Sequence, residues 1–143
     1  MSKIQIVIDT NIFIGSLYSR RGYAYELMSQ IDSSDFEMNI SVPLILEYED
    51  VAKRMLNKLM ITRQDIDAVI DYICSVGNQH EIFYLWRPFL KDPKDDMVLE
   101  LAVAGSCEYI VTYNQKDFEG VEEQFGILVV TPDEFLRQIG ARK

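Results

Sequence analysis

The sequence predicts an α/β fold in which helices cover a mostly parallel sheet of about five strands. Two observations lead to this prediction. Short runs rich in β-branched and apolar residues, such as residues 4–8 and 109–112, are typical of strands buried on both faces. Stretches with apolar residues at helical spacing lie between such runs, so strands alternate with helices along the chain. With 143 residues, the chain is expected to form a single domain spanning residues 1–143.

Each predicted strand is a short apolar or alternating stretch bounded by turn-forming residues. In chain order, these strands cover residues 4–8, 36–42, 81–85, 109–112 and 127–130. In the second strand, Phe36, Met38 and Ile40 alternate and therefore share one face of the sheet. Gly126 separates the last two strands.

Each predicted helix has either an apolar stripe or a first turn with capping residues. In chain order, the helical segments cover residues 12–19, 23–32, 43–58, 62–77, 92–104 and 131 onward. Pro43 suits a first helical turn. Thr62 is an N-cap candidate, and Asp65 three residues later favours the first turn. Thr131 caps the last helix, and Glu134 completes a capping box with it.

Composition excludes several classes of protein. No apolar run reaches the roughly 20 residues of a membrane span, and the N-terminus enters a strand directly, so neither a membrane location nor a signal peptide is expected. The two cysteines, Cys74 and Cys107, lie far apart and are expected to be free thiols in a reducing cytoplasm.

The formal net charge of −9 argues against broad, purely electrostatic binding of nucleic acid. It does not exclude a nucleic-acid enzyme, because acids gathered in one cleft are neutralised locally by bound cations. Basic residues are clustered at Arg20 and Arg21 and along residues 53–63. These clusters flank a cleft or form solvated helix faces, and the sequence leaves both interpretations open.

Asp9 directly follows the first predicted strand. Ligands bind in the crevice at the carboxyl ends of parallel strands, so the Asp9 carboxylate is expected to point into a site. The alternative is that Asp9 only caps the next helix through a side-chain oxygen.

Glu47 lies in the helix that begins near Pro43, and its helical neighbours include Leu44 and Val51. Glu47 therefore borders an apolar stripe. A half-buried carboxylate is costly unless it is paired or binds a cation. A solvated glutamate at the edge of the stripe is the alternative.

Four acids, Asp92, Asp95, Asp96 and Glu100, lie within nine residues at the start of a helix. The helix dipole favours negative charge there, which alone would account for the aspartates. Asp96 and Glu100 are one turn apart, where like charges are mildly destabilising and a divalent cation would reverse the sign of the interaction. Asp95 and Glu100 are assigned supporting roles.

Asn114 and Asp117 follow the fourth predicted strand, again at a strand's carboxyl end. Their oxygens suit a metal ion or a water molecule, although both residue types are also common in turns. Oxygen ligands without a Cys or His cluster point to Mg²⁺ or Mn²⁺ rather than zinc. The lone histidine, His80, is interpreted as structural or exposed. No phosphate-binding P-loop, dinucleotide fingerprint or Gly-x-Ser-x-Gly elbow is present.

Four segments together resemble the PIN-domain ribonucleases, in the VapC-like subgroup described as toxins of toxin–antitoxin systems. The resemblance spans nearly the whole chain and rests on residues 7–13 (VIDTNIF), 41–48 (SVPLILEY), 92–104 (DPKDDMVLELAVA) and 110–118 (IVTYNQKDF). It implies a three-layer α/β/α fold and a cytoplasmic endoribonuclease that hydrolyses RNA phosphodiester bonds with Mg²⁺ or Mn²⁺. It also implies a homodimer and an antitoxin protein as partner.

The same resemblance implies roles for individual residues. Asp9, Glu47 and Asp96 become the metal-binding and catalytic carboxylates. Asn114, where many PIN domains have a fourth acid, and Asp117 become further metal ligands. Asn11 and Thr112 become polar residues that orient the acids and waters.

Three other functions compete with this interpretation. The chain could be an RNA-processing or DNA-acting PIN nuclease rather than a toxin. It could be a PIN fold that has lost catalysis and serves as a binding module, which Asn114 favours. It could also be a phosphatase with Asp9 as nucleophile, although the haloacid dehalogenase pattern requires a second Asp where this chain has Asn11.

Overall fold

The computed structural model describes residues 3–141 and contains a five-stranded sheet in the order β3-β2-β1-β4-β5. All four neighbouring pairs are parallel. The strands are β1 Ile4–Ile8, β2 Phe36–Ile40, β3 Asn78–Gln79, β4 Tyr109–Val111 and β5 Leu128–Val130. The predicted α/β class and parallel sheet are therefore confirmed.

Helices follow the strands as the sequence predicts. They are α1 Thr10–Tyr18, α2 Tyr23–Met28, α3 Val42–Arg54, α4 Leu56–Leu59, α5 Arg63–Val76, α6 Pro93–Ala104, α7 Val121–Phe125 and α8 Pro132–Ala141, with a 3₁₀ turn at Gln115–Phe118. Thr62 caps α5 as predicted, and Asp65 completes a capping box in which each side chain accepts from the other's backbone N–H. No helix within residues 3–141 is long and apolar enough to cross a membrane.

Helices cover both faces of the sheet. The consecutive residues Ile6, Val7 and Ile8 are all fully buried, and successive side chains of a strand point to opposite faces. On one face, the ring of Phe135 in α8 packs edge-on against Phe36 of β2. This gives the three-layer α/β/α architecture that the resemblance implies.

The register of the central strands sets the position of the site. In the pairing of β1 with β4, Ile8 lies opposite Val111, and the N–H of Asp9 donates to the carbonyl of Val111 at 2.9 Å. The residues that follow the two strands, Asp9 and Thr112, therefore lie side by side at one edge of the sheet.

The strand predicted at residues 81–85 is wrong. The third strand consists of Asn78–Gln79 only, and no helix or strand forms between β3 and α6. The reason is the lack of a partner: β2 ends at Ile40, whose carbonyl accepts from His80, and α3 begins two residues later. Strand-forming side chains cannot form a ladder where no neighbouring backbone continues.

Two predicted helices also differ from the structure. The helix predicted for residues 23–32 ends at Met28, and the helix predicted to run to residue 58 is divided at Met55 into α3 and α4. The short helix α7 was not predicted. These differences leave the carboxyl edge of the sheet unchanged, because every strand that supplies it is present.

Candidate functional site

A cavity of about 380 Å³ opens at the carboxyl edge of β1 and β4. Its lining is strongly acidic, with carboxylates from Asp9, Glu47, Asp92, Asp95 and Asp117. The amides of Asn11 and Asn114 also line it, and Lys94 is the one basic residue in the lining. Segments far apart in the sequence thus bring most of the predicted site residues together.

Asp9 both caps α1 and faces the cavity, so the two interpretations of this residue are compatible. One carboxylate oxygen accepts from the N–H of Thr10 at 2.8 Å, and the other accepts from the hydroxyl of Thr112 at 2.8 Å. Burial raises the pKa of Asp9, the two hydrogen bonds lower it, and the nearby charges of Asp117 and Glu47 raise it further. The pKa of Asp9 is therefore raised overall, which means that hydrogen bonds and nearby positive charge do not fully compensate the burial of its negative charge.

The Thr112 hydroxyl joins three residues of the site. Besides donating to Asp9, it accepts from the side-chain amide of Asn11 at 3.2 Å and from the N–H of Asn114 at 3.1 Å. Thr112 is fully buried, and its bond to Asp9 forms away from solvent, whereas the bonds from Asn11 and Asn114 are partly buried. The Asn11 carbonyl in turn accepts from the N–H of Tyr113 at 3.3 Å. The predicted orienting positions of Asn11 and Thr112 therefore correspond to a continuous hydrogen-bond network around Asp9.

Glu47 lines the cavity from α3, which is tied to the end of β1. The adjacent Tyr48 is fully buried, and its hydroxyl donates to the backbone carbonyl of Ile8, the residue before Asp9. This bond holds Glu47 on the same side as Asp9. The Glu47 carboxylate is 16% exposed and lies 3.8 Å from the Lys94 ammonium group.

Asp95 and Asp96 are neighbours with different environments. Asp95 lines the cavity, whereas Asp96 does not; it is 1% exposed and accepts from the N–H of Leu90 at 2.8 Å and that of Phe89 at 3.4 Å. Adjacent helical positions are about 100° apart around the axis, so only one of the two can face the cavity. The sequence assigned the ligand role to Asp96, and the geometry favours Asp95.

The Asp95 carboxylate has no hydrogen bond or ion pair among residues 3–141. Desolvation, followed by the charges of Asp9, Asp117, Asp92 and Asp96, raises its pKa to about 7. Its charged form therefore lacks compensation, as expected of a carboxylate beside other anions.

Glu100 points away from the cavity. It is 2% exposed, and its carboxylate accepts from the guanidinium of Arg87 at 2.9 and 3.0 Å and from the N–H of Trp86 at 3.0 Å. It therefore anchors the segment between β3 and α6, and it does not line the cavity as the spacing to Asp96 suggested. The spacing of Asp96 and Glu100 could not reveal the ion pair with Arg87. Arg87 lies in the segment between β3 and α6, part of which was wrongly predicted as a strand.

Asn114 and Asp117 are joined by the 3₁₀ turn that follows β4. The N–H of Asp117 donates to the carbonyl of Asn114 at 3.0 Å, and both residues line the cavity. Two charged lining residues were not singled out as ligands from the sequence: Asp92, which caps α6 by accepting from the N–H of Lys94 at 2.9 Å, and Lys94 itself. A helix-capping aspartate carries no distinctive sequence signal for a site.

The donor chemistry of the cavity fits a hard divalent cation. Carboxylate and amide oxygens are the ligands that Mg²⁺ and Mn²⁺ prefer, and the raised pKa values of Asp9 and Asp95 mark negative charge that a cation would balance. As placed, however, no three His, Cys, Asp or Glu side chains within residues 3–141 are grouped closely enough to hold a metal ion. A Mg²⁺ ion held by this cavity would therefore take one or two carboxylates and complete its coordination with water molecules.

Comparison with known proteins places the fold. The model of the PIN domain family matches residues 5–116. Among solved structures, the fold is similar to VapBC from Salmonella typhimurium with bound DNA (TM-score 0.63, 18% identity, 90% of this chain and 98% of that chain). It is also similar to VapBC-1 from nontypeable Haemophilus influenzae (TM-score 0.63, 14% identity, 91% and 99%).

A third structure, VapBC2 from Rickettsia felis bound to a DNA fragment from its promoter, gives a TM-score of 0.60 at 12% identity and covers 88% of this chain and 97% of that chain. A comparison with curated proteins gave no match. At these identities the structural likeness concerns the fold, whereas the family model covers most of the chain. The chain belongs to the PIN domain family.

Proposed function

We propose that this protein is a Mg²⁺- or Mn²⁺-dependent endoribonuclease that hydrolyses RNA phosphodiester bonds and acts as the toxin of a toxin–antitoxin pair. The observation that supports this most is the acidic cavity at the strand ends of a PIN domain, where Asp9, Glu47, Asp95 and Asp117 face the same space. Three solved structures with a similar fold are VapBC complexes, which supports the toxin role and an antitoxin partner.

In this proposal, Asp9, Glu47 and Asp95 hold the cation, and Asn114 and Asp117 provide further oxygens. Asp95 takes the role that the resemblance gave to Asp96. When bound, the cation supplies charge relief at the phosphoryl oxygens and lowers the pKa of a water molecule.

The protein's own residues set the orientation of these groups. The Thr112 hydroxyl holds the Asp9 carboxylate in one position, and Asn11 holds Thr112 and the backbone of Tyr113 in register. Fixed orientation of this kind reduces the reorganisation needed at the moment of reaction. A homodimer in the cytoplasm is part of the same proposal, and the mass of the protein in solution tests the dimer.

A catalytically inactive PIN-fold binding module is the second candidate. Two observations favour it: the uncharged Asn114 at an otherwise acidic edge, and the lack of a preformed metal-binding group within residues 3–141. Against it, Asp9 and Asp95 carry raised pKa values, and uncompensated charge of that kind is typical of functional sites.

Cleavage assays distinguish the two. Labelled RNA and single-stranded DNA are incubated with the wild-type protein and Asp9→Asn, in Mg²⁺, Mn²⁺ or EDTA. Cleavage of RNA that requires the metal and falls at least about 100-fold in Asp9→Asn supports the nuclease. Asparagine has one acceptor oxygen, so it can keep the bond from Thr10 or the bond from Thr112 but not both, and the melting temperature of Asp9→Asn establishes that the variant is folded at the assay temperature. Cleavage of DNA alone contradicts the RNA specificity, and no cleavage by folded, metal-treated protein favours the binding module.

A further inference from the structure

Lys94 carries the one positive charge among the side chains that line the acidic cavity. It is the second residue of α6, and its backbone N–H donates to the capping residue Asp92, so the helix holds the base of its side chain in place. Its ammonium group lies 3.8 Å from the Glu47 carboxylate, which is its one ion-pair partner within residues 3–141. Lys94 is therefore the counter-ion of Glu47 in the protein without a bound cation.

The ion pair between Lys94 and Glu47 is easily separated. The distance of 3.8 Å is longer than an N–H···O hydrogen bond, and the Lys94 side chain is 64% exposed. By contrast, the Arg87 guanidinium donates hydrogen bonds of 2.9 and 3.0 Å to the Glu100 carboxylate. A solvent-exposed pair without hydrogen bonds contributes little to stability, so the ammonium group can leave Glu47 at a small cost in free energy.

A divalent cation and the Lys94 ammonium group compete for Glu47. In the proposed function, Glu47 is one of the carboxylates that hold the cation, and two positive charges at one carboxylate repel each other. The lysine side chain can move away, because its four-carbon stem is flexible while its backbone stays bonded to Asp92. Binding of the cation therefore frees a positive charge at the solvent-exposed side of the cavity.

The freed ammonium group suits a phosphodiester substrate. Five carboxylates line the cavity, and one divalent cation offsets only part of the repulsion between them and a phosphate group. A lysine ammonium group binds phosphate oxygens as a point charge. Among the basic residues that the structure describes, Lys94 alone lines the cavity, so it is the one placed to contact a phosphate group there.

We propose that Lys94 is a displaceable counter-ion, which pairs with Glu47 in the metal-free protein and binds a phosphate oxygen of the substrate once a cation occupies Glu47. The inference rests on the proposed ribonuclease function and adds a substrate-binding residue to its site. It also couples the two binding events, because the metal-free protein keeps the lysine on Glu47 and the metal-bound protein presents it to the phosphate.

Calorimetric titration with Mn²⁺, in the absence of RNA, tests the pairing with Glu47. Lys94→Gln should bind Mn²⁺ about two- to fivefold more tightly than the wild type, because no ammonium group has to be displaced. Lys94→Arg retains the charge and should bind Mn²⁺ as the wild type does. In a Glu47→Gln background, Lys94→Gln should change the Mn²⁺ affinity little, since the shared carboxylate is gone.

Binding of a fluorescein-labelled single-stranded RNA tests the phosphate contact. Anisotropy is measured at several KCl concentrations with Ca²⁺, which also takes carboxylate oxygens as ligands, and gel electrophoresis confirms that the RNA stays intact. Lys94→Gln should reduce the slope of log affinity against log salt concentration by about 0.7, as expected for one lost phosphate contact. Lys94→Arg should keep the slope of the wild type.

Lys91 provides a matched control. It lies three residues before Lys94, is exposed, and does not line the cavity. Lys91→Gln removes the same charge and should change neither the Mn²⁺ affinity nor the salt slope. The melting temperature of each variant in EDTA establishes that it is folded.

The outcomes separate this inference from the proposed function. If Lys94→Gln binds Mn²⁺ no more tightly than the wild type, or if Lys91→Gln tightens binding equally, Lys94 is not a displaceable counter-ion. An unchanged salt slope in Lys94→Gln, or no binding of RNA by the wild type with Ca²⁺, would exclude the phosphate contact. Metal-dependent cleavage of RNA would still support the nuclease in these cases. If both measurements follow expectation but no cleavage occurs with Mg²⁺ or Mn²⁺, the role of Lys94 is supported and the nuclease function is not.

Discussion

The acidic cavity has two halves that are held together in different ways. The strand half consists of Asp9 and its network with Asn11 and Thr112, at the ends of β1 and β4. The helix half consists of Glu47 from α3 and Asp95 from α6. Hydrogen bonds fix the carboxylate of the strand half, whereas Asp95 has none among the residues that the structure describes.

The two halves therefore differ in how well the orientation of the carboxylate is fixed and in how well its charge is compensated. In the strand half, bonds from Thr10 and Thr112 lower the pKa of Asp9 and offset part of the penalty of burial. In the helix half, no such bonds oppose desolvation and the neighbouring charges, and the pKa of Asp95 reaches about 7. A cation that binds between the halves therefore meets a carboxylate of fixed orientation, Asp9, in the strand half. In the helix half, the same cation relieves the electrostatic repulsion that acts on Asp95.

The largest expected effect distinguishes Asp95 from Asp96. Asp95→Asn should reduce the cleavage rate about 100-fold or more while leaving the protein folded, because it removes charge from the cavity and no hydrogen bond. Asp96→Ala should lower the free energy of unfolding by about 1–3 kcal/mol, because the N–H groups of Phe89 and Leu90 lose their acceptor.

Cleavage rates and denaturant unfolding of both variants measure this split. Asp96→Asn is the matched control, since it retains an acceptor oxygen and should cut nearly as fast as the wild type. Loss of cleavage in Asp96→Asn with normal activity in Asp95→Asn would restore the assignment made from the sequence.

The next effect tests the strand half. Thr112→Val removes the hydroxyl that contacts Asp9, Asn11 and Asn114, and we expect an approximately tenfold lower cleavage rate and a loss of about 1–3 kcal/mol in stability. Thr112→Ser retains the hydroxyl and should restore most of the rate. Equal rates in the valine and serine variants would show that the network does not orient Asp9.

A third effect lies outside both halves. Arg87→Met leaves the nearly buried Glu100 with only the N–H of Trp86 as partner, and we expect the free energy of unfolding to fall by about 1–3 kcal/mol. The cleavage rate at a temperature where the variant is folded should stay near that of the wild type. A large fall in this rate, with stability unchanged, would place Glu100 in the functional site instead.

The smallest expected effect is the pH dependence of stability without metal. Because the pKa of Asp95 is raised from 3.8 to about 7 on folding, its contribution to stability is fully present below pH 3.8 and is lost as the pH rises through about 7. The melting temperature in EDTA should therefore be a few degrees higher for Asp95→Asn than for the wild type at pH 8, and the two should converge towards pH 4.

Divalent cations should reverse the order of the melting temperatures of the wild type and Asp95→Asn at pH 8. Mg²⁺ or Mn²⁺ at pH 8 should raise the melting temperature of the wild type more than that of Asp95→Asn, because the cation stabilises the charged carboxylates. Calorimetry with and without the metal measures both effects. Identical responses of the two proteins would show that Asp95 takes no part in binding the cation.

Local sequence patterns were sufficient for much of the fold. The β-branched run of residues 4–8 and the capping box of Thr62 and Asp65 concern neighbouring residues, so their physics is contained in the sequence. The sequence also placed Asp9 and Thr112 at strand ends, and parallel pairing of β1 with β4 brings them together. The hydrogen bond between these two side chains follows from that register.

Tertiary structure decided what depends on distant partners. The apolar stretch at residues 81–85 has strand-forming side chains, but β2 ends too early to pair with it. Likewise, charge pattern alone cannot separate Asp95 from Asp96, since both suit the start of a helix. The rotation of α6 against the sheet and the acceptors required by Phe89 and Leu90 turn Asp96 inward and leave Asp95 facing the cavity.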